Sequence, residues 1–131
     1  MLAEDYVSYE TAKLLKEKEF DEPCECFYDT EHNDISIVNG WMNVSNSQLE
    51  EREFLCYSAP TLQMAMKWLR RVHGLHIAIL WDCGAYIGKN TFCYHIDDMG
   101  NYENKGLNKI GFESYEEACE EAIKYCLENL I

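Results

Sequence analysis

The run Pro60-Thr61-Leu62-Gln63-Met64-Ala65-Met66-Lys67-Trp68-Leu69-Arg70-Arg71-Val72-His73-Gly74-Leu75-His76-Ile77-Ala78-Ile79-Leu80-Trp81 decides the fold, because its hydrophobic pattern changes at Gly74. Leu62, Ala65, Met66, Leu69 and Val72 recur at helical spacing behind a proline suited to a first turn. A helix with that stripe in the core is predicted. Gly74 ends it, and Leu75 to Trp81 reads as a buried strand of β-branched and aromatic character.

Downstream, Asp82-Cys83-Gly84 supplies a turn, and Ala85 to His95, interrupted at Gly88, returns as the partner of a hairpin. Ile96 to Gly111 has little periodicity and reads as the main surface loop. Ser114 and Glu117 form a capping-box pattern for a final helix to about Leu130. Its inner stripe is Tyr115, Cys119, Ala122, Ile123, Cys126 and Leu130. Glu116, Glu117, Glu120 and Glu121 suit its positive terminus.

Upstream, Ser8 caps a first helix to about Lys18, with Val7 placed to staple against Ala12. Its end is poorly marked, since Glu19 stands where a C-cap glycine is usual. Cys24 to Asp29 and Ile35 to Val38 read as strands, and Asn39-Gly40 is a hairpin signal leading into Trp41 to Val44. Ser45 to Glu51 reads as a loop or short helical turn, and Glu53 to Tyr57 as another strand. The order α-β-β(-β)-α-β-β-α implies an α+β fold of two layers, three helices on one face of a mostly antiparallel sheet of four to five strands. Ala12 to Asp29 and Ala65 to Asp82 are equally spaced, which suggests two αββ units. The chain, 131 residues with 47% hydrophobic side chains, fits one domain, 1–131.

Three segments carry a resemblance: Ser8-Tyr9-Glu10-Thr11-Ala12-Lys13-Leu14-Leu15-Lys16, Ala59-Pro60-Thr61-Leu62-Gln63-Met64-Ala65-Met66-Lys67-Trp68-Leu69-Arg70 and Ser114-Tyr115-Glu116-Glu117-Ala118-Cys119. Together they resemble a set of uncharacterised small proteins encoded by phages, prophages and mobile elements of gut bacteria. The resemblance implies no catalytic residue. It implies glycine where this chain has Glu19.

Charge limits the function classes. The net charge is −13, laid out as −8 over residues 1–34 (11 acids, 3 bases), zero over 35–112 (7 and 7) and −5 over 113–131 (6 and 1). Such acidity repels nucleic-acid backbone, so no direct nucleic-acid binding is expected. The longest apolar run, Ile77 to Trp81, is far too short to span a membrane, and the acidic N-terminus lacks a secretory pattern. A cytoplasmic location is expected, and the odd count of seven cysteines is expected as free thiols.

Cys24-x-Cys26, Cys83 and Cys93-x-His95 contain zinc's preferred ligand types but not the usual paired spacing. On a strand, C-x-C puts both thiols on one face, where they also pack inward. Cys83 with His95 or His73 as base is the candidate thiol nucleophile, with no family signature around it. Asp97-Asp98 with Asn101 and Glu103 lacks the order of a calcium loop. Gly84-x3-Gly88-Lys89-Asn90-Thr91 departs from a phosphate loop in spacing and in leading to a strand. No catalytic residue, cofactor or metal ligand is assigned.

A reversal of charge sign carries the binding candidate. Gln63, Lys67, Arg70 and Arg71 share one helix face, and no acid occurs from Phe54 to Trp81. Such a face either pairs with the acidic terminal helices or docks an acidic partner, a second copy's acidic ends included. Trp68 and Trp81 are expected as core anchors; Trp41, after a tight turn, marks a binding patch if it is exposed, and Glu116 and Glu120 are the further candidates for the interaction surface. The sequence therefore points to a non-enzymatic accessory or interaction protein of a mobile element that binds a host or phage protein through its acidic surface, a homo-oligomer included. The alternatives are a small cysteine- or metal-dependent enzyme and an acidic nucleic-acid mimic acting as an inhibitor.

Overall fold

The computed structural model describes residues 4–29, 35–37, 43–53, 55–83, 90–101 and 106–131, with backbone alone for 35–37 and 83. The hairpin signal at 39–40, Trp41 and the turns at 30–34 and 84–89 lie outside the described residues. The fold is α+β, with strands in two antiparallel three-stranded sheets instead of one sheet of four to five. The chain divides into two compact units, Met1–Thr61 and Leu62–Ile131.

The first unit holds α1 (Tyr9–Glu17), β1 (Cys26–Asp29), β2 (Ile35–Ile37), α2 (Asn46–Glu51) and β3 (Cys56–Ser58). Its sheet order is β2-β1-β3, with Cys26 opposite Ile37 and Tyr28 opposite Tyr57. The Ser8 side chain caps α1 by accepting from the Thr11 amide at 3.2 Å, and both staple residues, Val7 and Ala12, are fully buried. The unmarked end of α1 is a complete Schellman turn. The Glu19 amide donates to the Lys16 carbonyl, the Phe20 amide to the Leu15 carbonyl, and Leu15 and Phe20 are both buried. Glu19 sits at φ +67° and Glu53, just past α2, at φ +59°, left-handed positions that favour glycine.

These short strands are held by a buried amide. Asn46, in the first turn of α2, donates through Nδ2 to the Phe20 carbonyl at 2.8 Å and accepts through Oδ1 from the Ser58 amide at 2.9 Å. It thus ties the exit of α1 to β3 with all three residues buried. Ser45 and Gln48 complete a reciprocal capping box in front of it.

The second unit holds α3 (Leu62–His73), β4 (Leu75–Cys83), β5 (Asn90–Asp98), β6 (Leu107–Phe112) and α4 (Tyr115–Asn129), in sheet order β4-β5-β6. β4 and β5 pair over nine positions, from Leu75 opposite Asp98 to Cys83 opposite Asn90. Leu75, Ile77, Tyr94, Ile96 and Phe112 form the buried face, on which α3 and α4 pack. Tyr94 stacks on Phe112 at 5.6 Å. Pleating explains why Leu80 (55% exposed) and Trp81 (63%) are not the core residues expected: Leu80 points to the other face and Trp81 lies near the strand's end.

β6 is a strand where a loop is expected from the sequence. Five of its six residues are exposed, so its pairing is made by backbone and leaves no apolar period. Its register slips by a bulge between Phe92 and Tyr94, and Gly111 takes φ +96°. In α3, Trp68 is buried while Val72, in the last turn, is 58% exposed. In α4, Ala118 and Leu127 join the buried stripe, whereas Tyr115 and Leu130 lie exposed at its ends. Each unit begins with an αββ segment, but the third strand joins β1 in the first unit and β5 in the second.

Replacing Asn46 by alanine strands a buried amide and a buried carbonyl, each costing about 1–3 kcal/mol, so urea unfolding is expected to show a loss of about 3 kcal/mol. Glu19→Gly relieves a left-handed conformation and is expected to stabilise by about 0.5–1 kcal/mol in the same assay.

Candidate functional site

A helix without acids and with one apolar stripe has to expose whatever charge it carries. In α3 the stripe is Leu62, Ala65, Met66, Trp68 and Leu69, and Gln63, Lys67, Arg70 and Arg71 stand exposed at the i, i+4, i+7 and i+8 spacing of a single face. Gln63 is tied down, donating through Nε2 to the Tyr115 hydroxyl at the start of α4 at 3.0 Å. Lys67, Arg70 and Arg71 form no ion pair with any described residue. The expected pairing with acidic helices is thus not made by these cations. Met64 (39% exposed) and Val72 add apolar surface to the same helix.

Arg70 and Arg71 occupy the last turn with His73, and their cations complement the negative helix end. The His73 ring packs edge-on against Trp68 at 4.7 Å, and burial holds its pKa below the usual value. Glu116 is exposed and Glu120 half-buried on α4. The Ser114 hydroxyl accepts from the Glu117 amide at 3.0 Å, and the Glu117 carboxylate accepts from the Glu113 amide at 3.1 Å, one residue before the cap.

Among the described residues the cysteine candidates do not assemble. Cys24, Cys26, Cys56, Cys119 and Cys126 are buried, and burial pushes the Cys24 and Cys126 thiols up to about 12. The Cys24 thiol donates to the Glu22 carbonyl at 3.4 Å. Cys93 is half-buried, but both nitrogens of its strand neighbour His95 are taken by Asn108 and Asp97 oxygens, which leaves no base for the thiol. The side chain of Cys83 lies outside the described residues. Asp97 contacts His95, while Asp98, on the opposite face of the strand, accepts from the Gly100 amide at 3.0 Å, so the two carboxylates do not converge. Among the described residues no three His, Cys, Asp or Glu side chains are arranged to hold a metal ion.

A cleft of about 320 Å³ in the first unit is lined by Lys16, Phe20, Asp21, Asn46, Ser47 and Glu50, among others. Apart from the Glu19 carboxylate, its charged groups are already engaged. Asp21 accepts from the Ser47 amide at 2.7 Å and hydroxyl at 2.5 Å, which holds its carboxyl below the usual range. Lys16 pairs with Glu50 at 3.3 Å and lies over the Tyr57 ring.

No protein-family model, curated protein or solved structure matches this chain. No helix among the described residues is long and apolar enough to cross a membrane.

Native-state thiol labelling with peptide mapping is expected to modify Cys93 ahead of Cys24, Cys26, Cys56, Cys119 and Cys126, because those five are buried and a labelling reagent has to reach the sulfur.

Proposed function

We propose that this chain is a non-enzymatic interaction module, an accessory protein of a phage or mobile element, that docks an acidic protein on the exposed face of α3. One observation carries the reading: Lys67, Arg70 and Arg71 stand together on one face without an ion pair among the described residues, on a chain of net charge −13. Cations that serve only the fold would be expected to find some of the many carboxylates available. Charge complementarity at such a face speeds encounter and selects the partner more than it adds affinity.

A protein suits this face better than a nucleic acid. Three cations on a strongly acidic chain neutralise few phosphates, and the exposed Met64 and Val72 offer apolar contact that a phosphate backbone does not use.

The test is capture from host lysate by the full chain and by a Lys67→Glu/Arg70→Glu/Arg71→Glu variant, each with and without nuclease. The variant is expected to remain folded, since each changed side chain is exposed and without an ion-pair partner, at a cost of about 0.5 kcal/mol or less at Lys67 and about 1–2 kcal/mol each at Arg70 and Arg71, where a carboxylate meets the negative helix end. The wild type is expected to retain an acidic protein at low salt and release it at high salt, and the variant to retain at least tenfold less. Equal retention by the folded variant, or loss of the captured species on nuclease treatment, would refute the reading.

A further inference from the structure

On the sheet face opposite the helices, four residues meet around one imidazole. His95 and Asn108 lie directly opposite in the β5–β6 ladder, and His95 Nδ1 contacts Asn108 Oδ1. His95 Nε2 lies 2.9 Å from Asp97 Oδ1, two residues along the same strand. Gly106 closes the site, for a Cβ there would overlap the imidazole and come within 2.7 Å of Asp97 Oδ1. Only glycine lets the chain pass this close.

An imidazole facing two oxygens satisfies both contacts as a donor only when it carries both protons. The bond to Asn108, then the bond to Asp97, raises the His95 pKa above its ordinary 6.5, against a smaller opposing effect of burial. The other described groups on this face of the β4–β5 ladder are Cys93 and Thr91 on β5, Ala78 opposite His95 on β4, His76 opposite Asp97, and, further along β4, the exposed Leu80 and the buried Asp82, which is opposite Thr91 and away from the ring. Lys109 of β6 is opposite Tyr94 on the buried side, with Nζ over the Phe112 ring. Asp97 is therefore the only acidic group described on this face next to the ring.

We propose that His95, Asp97, Asn108 and Gly106 form a pH-sensitive clasp that fixes the start of β6 to β5. When the ring loses a proton, one nitrogen presents a lone pair to an oxygen. Either that contact is given up or the Asn108 amide turns over to donate. Because the folded-state pKa is raised, the clasp contributes fully below pH 6.5 and its contribution is lost as pH rises through the higher folded midpoint. β6 is the element released, since five of its six side chains are exposed and add little packing to hold it.

NMR of the full chain between about pH 5 and about pH 9 reads both halves of the proposal, the His95 ring shifts and the hydrogen-exchange protection of the Leu107, Asn108 and Lys109 amides. The His95 midpoint is expected above 6.5, and protection, corrected for intrinsic exchange, is expected to fall with that same midpoint. His95→Gln is expected to make β6 protection independent of pH over this range. Asp97→Asn keeps the shape, removes the charge and moves the midpoint back towards 6.5, which provides the test should the glutamine variant not fold. A wild-type midpoint at or below 6.5, or β6 protection that changes with pH equally in a folded His95→Gln variant, would overturn the proposal.

Discussion

The nine-position pairing of β4 with β5 is the constraint on which the second unit depends. Side chains alternate with a period of two, so a slip of one residue would send either Leu75 and Ile77 of β4 or Tyr94 and Ile96 of β5 to the wrong face. Holding this register places that set under α3 and α4 and leaves His76, Ala78, Cys93, His95 and Asp97 on the other side. The same register settles the orientation of α3. Its single apolar stripe is used against the sheet and α4, so Lys67, Arg70 and Arg71 have to face away.

The first unit is built on a different balance. Its strands are three or four residues long, and sheets this small are marginal without added support. Support comes from polar links between neighbouring elements. Asn46 joins the end of α1 to β3, Asp21 holds the first turn of α2, and the Tyr28 hydroxyl donates to the Val7 carbonyl at 2.7 Å. The apolar cluster of Val44, Leu49 and Cys56, with Phe27 against it, lies beside these links.

The parts of this fold legible in the sequence are those that bury an apolar period next to a chemical stop. α3 ends before Gly74, and the caps Ser8 and Ser114 fall where the sequence puts them, because capping is local and period 3.6 survives in a half-buried helix. β6 was hidden because an edge strand with exposed side chains obeys backbone geometry alone. Leu80 and Trp81 were misplaced because an unbroken apolar run conceals the alternation that pleating imposes. The cationic face of α3 could be read from spacing, but its lack of ion pairs could not. The His95 cluster was out of reach, since its members are distant or alternate in sequence and only the β5–β6 register brings Asn108 and Gly106 to the ring.

The bulge in the β5–β6 ladder reaches further than local register. An outer strand with free backbone groups is a template on which other chains can extend a sheet. Here the bulge increases the local twist, Gly111 bends the strand at its far end, and Lys109 places a charge within it. An incoming strand would meet donors and acceptors out of phase and a lysine to desolvate. β6 thus ends the sheet on that side and offers a poor template for edge-to-edge growth there.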